Sequence, residues 1–194
     1  MERAAYKALP ISPMKDSVRC LQPAAMRADS PAIEAMTDLR QTALATITAT
    51  STLAQANQAM IASGVRLLLV LDDNDRVSGL ITARDIVGEK PVKLLRERGG
   101  KRSELKVADL MVPRCEIEVL DLATVAHAEV GHIVATLKEA GRQHALVVEP
   151  ATDGEGEIMR GIFSATQIGR RLGMSIVTFE VAHTFADIEA ALAD

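Results

Sequence analysis

Thr82 and Asp85 stand three residues apart, directly after the strand-like run Val77-Ser78-Gly79-Leu80-Ile81. If a strand ends at Thr82 and a helix begins there, the unpaired N–H groups of the helix face the same way as the Thr82 hydroxyl. Asp85 then occupies the third helical position, on the turn that looks back toward Thr82. A hydroxyl and a carboxylate held like this suit two vicinal hydroxyls, as on a ribose. Gly79 would let the flat face of a ligand approach the backbone, and Arg66, expected on the neighbouring strand, would meet a phosphate. The same residues also have a reading without a ligand, in which Thr82 caps the helix and Asp85 completes a capping box.

A second set echoes the first. Gly161, Ser164 and Gln167 keep the spacing but put an amide where the first set has a carboxylate, and Gln143 stands in the place of Arg66. An amide accepts a hydrogen bond without charge assistance. Arg142 and His144 lie close enough in sequence to reach a phosphate. The second site is expected to be weaker, altered in specificity or empty.

Other groupings point to less chemistry. Asp153-Gly154-Glu155-Gly156-Glu157 alternates carboxylates, but Met159 to Thr166 offers no bidentate Glu at the distance a calcium loop requires, so a solvated turn is expected. His127 and His132 are five apart, on different faces of a helix, with no Cys or third His at ligand spacing; His183 has no partner. No metal site is expected. Lys90 to Lys106 is basic, but no aromatic residue is interleaved for stacking nucleic acid. It reads as a solvated linker, or as charges approaching the phosphates of a bound nucleotide. No Gly-x-Ser-x-Gly and no Walker-type glycine loop occurs, which points away from an enzyme.

Composition agrees. The 194 residues are 48% hydrophobic but only 2% aromatic, so any core is built from Ala, Val, Leu, Ile and Met. A net charge of -4 favours neither nucleic acid nor an anionic membrane. Cys20 and Cys115 suggest no disulfide framework. Met1 to Pro10 has no apolar run like a signal peptide, and the longest apolar stretch, Val65 to Leu71, contains Arg66 and is too short to span a bilayer. A cytoplasmic protein away from membranes is the expectation.

The elements that would position these residues come in duplicate. Leu53, Ala56, Met60 and Gly64 recur 77 positions later as Val130, Ile133, Leu137 and Gly141. Each set is the buried stripe of a helix with a glycine at its stop, and Thr52 with Gln55 marks the first start. Buried strands follow at Leu67–Leu71 and Ala145–Val148, then a polar turn, five residues longer in the second copy. Strands at 77–82 and 159–164 come next, and each unit closes with a short helix. Ala45–Thr48 and Ala123–Ala126 read as the opening strands. The tail offers a strand at Ile176–Val181 and a helical stripe of Phe185, Ile188 and Leu192, capped by Thr184 with Asp187.

Gly79-Leu80-Ile81-Thr82-Ala83-Arg84-Asp85-Ile86 resembles the signature of CBS domains: glycine, two apolar residues, Thr or Ser, two variable residues, Asp, apolar. Gly64-Val65-Arg66 and the lead-in Asp109-Leu110-Met111-Val112-Pro113 are also similar to that family, over roughly residues 36–173. The resemblance implies a mixed α/β (α+β) fold of two βαββα repeats packed as a pseudo-twofold pair, with two clefts between them. The implied plan is an arm at 1–35, repeats at 36–98 and 107–173, a linker at 99–106, and a strand and helix at 174–194.

The implied first site is Ile47, Arg66, Gly79, Ile81, Thr82, Arg84 and Asp85; the second is Val125, Arg142, His144, Gly161, Ser164 and Gln167. The implied ligand is an adenine nucleotide, AMP, ADP, ATP or S-adenosylmethionine, with regulatory rather than catalytic work, no further cofactor, a homodimer and an unidentified regulated protein. The alternative is a scaffolding or docking module whose clefts are empty.

Overall fold

The computed structural model describes residues 8–14, 25–152, 154 and 156–178. In the first half these form β1 (Thr37–Asp38), β2 (Thr46–Thr48), α1 (Leu53–Ser63), β3 (Leu67–Leu71), β4 (Val77–Thr82), α2 (Ala83–Val87) and α3 (Lys90–Arg98). Then come α4 (Val107–Leu110), β5 (Val112–Pro113), β6 (Val119–Asp121), α5 (Leu122–Ala126), α6 (Val130–Glu139), β7 (His144–Pro150), β8 (Glu157–Ser164) and α7 (Ala165–Leu172).

Local chemistry sets the helix ends. The Thr52 hydroxyl accepts the Gln55 N–H at 3.2 Å, and the Gln55 side chain accepts the Thr52 N–H at 2.8 Å, closing the capping box that starts α1. Gly64 stops α1 at φ 64° and Gly141 follows α6 at φ 61°, a left-handed conformation that glycine adopts without a Cβ penalty.

Two four-stranded sheets result, ordered β2-β3-β4-β5 and β1-β8-β7-β6. In each, the opening strand runs parallel to its neighbour and the next two pairings are antiparallel. The outer strand of each sheet is borrowed: β5, leading into the second repeat, pairs with β4, and β1, leading into the first, pairs with β8. The lead-ins are themselves a repeat, 75 positions apart: Ala32–Ala35 with α4, Met36 with Met111, β1 with β5. Ala32 donates to the Ala128 carbonyl at 2.8 Å and Val107 to the Ser51 carbonyl at the same distance.

Each half has its own core. Leu53, Ala56, Met60, Leu68, Val70, Ile81 and Ile86 pack with Leu105, Val107 and Leu110. Val125, Val130, Ile133, Leu137, Val147, Phe163 and Ile168 pack with Met26, Ala32 and Ala35. A third cluster joins the sheets, Leu67 and Leu69 against Leu146, flanked by Leu80, Ile117 and Ile162.

Three expectations are corrected. Ala123–Ala126 is helical, within α5; the second opening strand is β6, which pairs with β7 at Leu120↔Val147 as β2 pairs with β3 at Ile47↔Val70. Asp121 accepts the Ala123 N–H at 2.8 Å and starts a helical turn whose β-branched residues looked strand-like. Lys90–Lys106 is not a plain linker: it holds α3 and a 3-10 turn at Arg102–Glu104, followed by the buried Leu105. Residues 26–35 are not an extended arm, because Met26, Ala32 and Ala35 are core, the latter two in a 3-10 turn too short to show a period. The tail strand beyond Thr178 and the tail helix lie outside the described residues, as do His183, Asp153 and Glu155.

The borrowed strands explain both strand glycines. A Cβ at Gly79 would stand 2.7 Å from the Val112 carbonyl oxygen, and one at Gly161 would overlap the Met36 side chain. Backbone paired in a sheet cannot give way, whereas a methionine side chain can turn aside. Gly79→Ala is therefore expected to cost about 1–3 kcal/mol, and Gly161→Ala distinctly less, in urea unfolding. Equal or inverted costs would contradict this packing account.

Candidate functional site

A cavity of about 670 Å³ opens between the halves. Its apolar wall is Leu67, Leu80, Val112, Ile117 and Leu146; its polar rim runs from Thr82, Arg84, Asp85, Glu89, Lys90 and Lys93 across to Glu118, Arg142, Gln143 and His144. The end of β4 with α2 and α3 supplies the first group; the residue before β6 and the approach and start of β7 supply the second.

Thr82 ends β4 and caps α2, which turns Asp85 back toward it. The Asp85 Oδ2 accepts the Thr82 N–H at 2.8 Å and the Thr82 hydroxyl at 2.6 Å, while Oδ1 accepts the Lys90 ammonium at 2.5 Å. The capping box is thus real, and it holds the carboxylate in the cavity wall. Asp85 is 7% exposed and accepts from a hydroxyl, an N–H and a cation. A carboxylate has about four lone-pair positions, so it retains capacity for one more donor. Two further cations on the rim sit beside exposed acids, Lys93 on Glu89 and Arg142 on Glu118, both at 2.8 Å. Exposed pairs of this kind hold weakly.

His144 lines the facing side of the cavity. Burial, assisted by the Arg66 guanidinium, pushes its imidazole down from 6.5 to about 4. It faces the cavity neutral at pH 7, a hydrogen-bonding group and not a cation for phosphate.

The structure redistributes the expected site residues. Of the first set, Thr82, Arg84 and Asp85 line this cavity. Ile81 is fully buried in the first core, Ile47 packs at its margin, and Gly79 lies beneath Met111 and Val112. Gly79 therefore offers its open face to the borrowed strand and not to a ligand. Arg66 crosses to the other half, where its guanidinium donates to the Thr166 hydroxyl. Of the second set, Arg142 and His144 line the first cavity, because the start of each central strand points toward the opposite repeat.

Val125 is 1% exposed in the second core, a correction that follows from α5 replacing the expected strand; Leu120 holds the position equivalent to Ile47. Gly161 is covered by Met36, and Gln167 accepts the Thr37 hydroxyl at 3.0 Å, so side chains of the lead-in occupy the second signature. Ser164, the N-cap of α7, makes no side-chain capping bond. Lys90 and Lys93, read from sequence within a solvated linker or as charges approaching a phosphate, stand on the cavity rim, and the contact of Lys90 with Asp85 is what the sequence reading missed. The available signal was Lys90, one helical turn and a Gly88 break beyond Asp85.

Among the described residues no group of His, Cys, Asp and Glu could hold a metal ion, and no helix is long and apolar enough to cross a membrane.

A family model for the CBS domain matches residues 27–91. No curated protein matches the sequence. Among solved structures, an uncharacterized conserved protein from Pyrococcus horikoshii is 19% identical with a TM-score of 0.52, covering 74% of this chain and 92% of its own. A CBS-domain containing protein from Agrobacterium tumefaciens is 16% identical with a TM-score of 0.50, covering 68% and 93%. CBSX2 in complex with AMP is 23% identical with a TM-score of 0.49, covering 73% and 94%.

The depressed His144 gives a pH prediction. Above pH 6.5 the imidazole is neutral in folded and unfolded chains alike. Below it the unfolded chain takes up a proton that the folded chain refuses, so stability falls as pH drops toward 4. His144→Gln should flatten this dependence, leaving the variant less acid-sensitive than wild type by up to about 2 kcal/mol at pH 5. Parallel curves of melting temperature against pH for the two proteins would refute it.

Proposed function

We propose that the cavity at Thr82 and Asp85 receives an adenine nucleotide, in a chain whose residues 27–91 match the family model for the CBS domain and whose fold is similar to that of a CBS-domain containing protein. The reading is of a non-catalytic sensor that passes the bound state to a partner protein. Its volume of about 670 Å³ lies within the roughly 300–1,000 Å³ of small-molecule sites. The observation that carries the reading is the buried Asp85, held by Thr82 and Lys90 at the edge of an apolar cavity rimmed with cations. Apolar leucines suit a base, Asp85 and Thr82 suit sugar hydroxyls, and Arg84, Lys90, Lys93 and Arg142 suit phosphate. The adenine part comes from the family resemblance, the preference for an anion from the charges.

Because the cavity is walled by both halves, a ligand there would favour one mutual setting of the repeats by its differential affinity. A homodimer in the cytoplasm, read by a regulated protein, is the assembly this function implies.

A scaffolding role draws support from the second signature, where Gln167 stands in place of the carboxylate and is taken up by the Thr37 hydroxyl. Native mass spectrometry of freshly purified protein separates the readings, since a co-purified nucleotide adds a few hundred daltons and a scaffold travels bare.

Calorimetric titration with AMP, ADP, ATP and S-adenosylmethionine is expected to reveal binding at one site. Asp85→Ala should weaken it at least tenfold, about 1.4 kcal/mol or more. Asp85→Asn, which keeps an acceptor for the Thr82 N–H, guards against loss of the helix cap and should weaken binding as well. Unchanged affinity in a folded Asp85→Asn protein would remove Asp85 from the site.

A further inference from the structure

Lys90 holds the carboxylate oxygen that the helix cap leaves over. Asp85 Oδ2 takes the Thr82 N–H and hydroxyl, and Oδ1 takes the Lys90 ammonium at 2.5 Å. The two ends of this pair differ in freedom. The Asp85 side chain is 9% exposed and fixed by the cap, whereas that of Lys90 is 53% exposed. The Lys90 backbone is pinned, since it opens α3 and Pro91 beside it is fully buried. What can move is its four-carbon stem, which carries a compact charge with three donors. The other acids of the rim already have cations, Glu89 with Lys93 and Glu118 with Arg142.

A sugar hydroxyl that approaches Asp85 must therefore take Oδ1 from this ammonium. A hydroxyl brings no charge, so putting it in place of Lys90 gives up a charge-assisted bond where water is scarce. A ligand that also carries a phosphate offers the displaced ammonium a second anion. We infer that Lys90 is a specificity-determining residue: it covers Asp85 Oδ1 and cedes it to a ribose when a 5′-phosphate takes the ammonium in exchange. This rests on the nucleotide reading given above and narrows it to phosphorylated nucleosides, AMP, ADP or ATP. S-adenosylmethionine carries a sulfonium where the phosphate would stand and gives Lys90 nothing in return. Diol and phosphate are thereby coupled through one side chain, and neither contributes its full share alone.

The test titrates the full chain with AMP, adenosine and the 2′,3′-dideoxy counterpart of each. In the wild type, removing the diol should weaken AMP about tenfold or more but adenosine less than about threefold, because adenosine leaves Lys90 on Asp85. Lys90→Met uncovers the carboxylate, so AMP is expected to weaken about tenfold while adenosine tightens. Lys90→Arg keeps a cation and should retain the preference for AMP. An equal cost of diol removal in AMP and adenosine overturns the exchange. So does an equal loss of both ligands in Lys90→Met, the mark of a lysine that only supports the fold. Should Lys90→Met fail to fold, the wild-type comparison decides by itself. If no probe binds, the nucleotide reading fails and this inference with it; AMP binding without the coupling sinks this inference alone.

Discussion

The arrangement depends on how two sheet edges are closed. Within its own repeat, β4 has no neighbour on one side, and neither has β8. An open edge presents unpaired N–H and C=O groups, and here each is covered by the short strand leading into the other repeat. The chain therefore crosses between halves twice, and neither core is complete alone: Leu105, Val107 and Leu110 finish the first, Met26, Ala32 and Ala35 the second. With the two crossings made, Leu67 and Leu69 meet Leu146. The cavity is the space left between α2 and the approach to β7.

The same exchange assigns the signature glycines a role in packing. A lead-in strand and its methionine lie directly against Gly79 and Gly161, where a side chain would hold them off. The duplicated motif thus carries two separable requirements, a glycine for the borrowed strand and a Thr/Ser-x-x-Asp for the cavity. The second copy keeps the first requirement and has relaxed the second, with Gln167 turned to Thr37. The relation between repeats is symmetric in backbone and asymmetric in charge.

Charge gathers on the first cavity for a reason visible in its surroundings. Asp85 is buried among a hydroxyl, an N–H and the Lys90 ammonium, and a buried carboxylate is tolerated only with such partners. Lys90 can be there because α2 breaks at Gly88 and α3 restarts at the cavity rim, a feature with no counterpart after α7 among the described residues. On the opposite wall His144 stays neutral because burial and Arg66 both oppose its proton.

Local patterning determined the duplicated helices with their glycine stops, the strands after them, and the Thr82–Asp85 turn, because each depends on periodicity or capping within a few residues. Tertiary structure alone decided the rest. Val119–Asp121 is a strand only by pairing beside β7, and the Ala123–Ala126 run that looked extended is held helical by the Asp121 cap. Arg66 and His144 were read into their own repeats, yet Arg66 donates to Thr166 of the other half and His144 lines the cavity beside Thr82 and Asp85, since a strand's start points wherever the packing of two sheets sends it. No spacing along the chain encodes that exchange. It follows from closing both sheet edges at once.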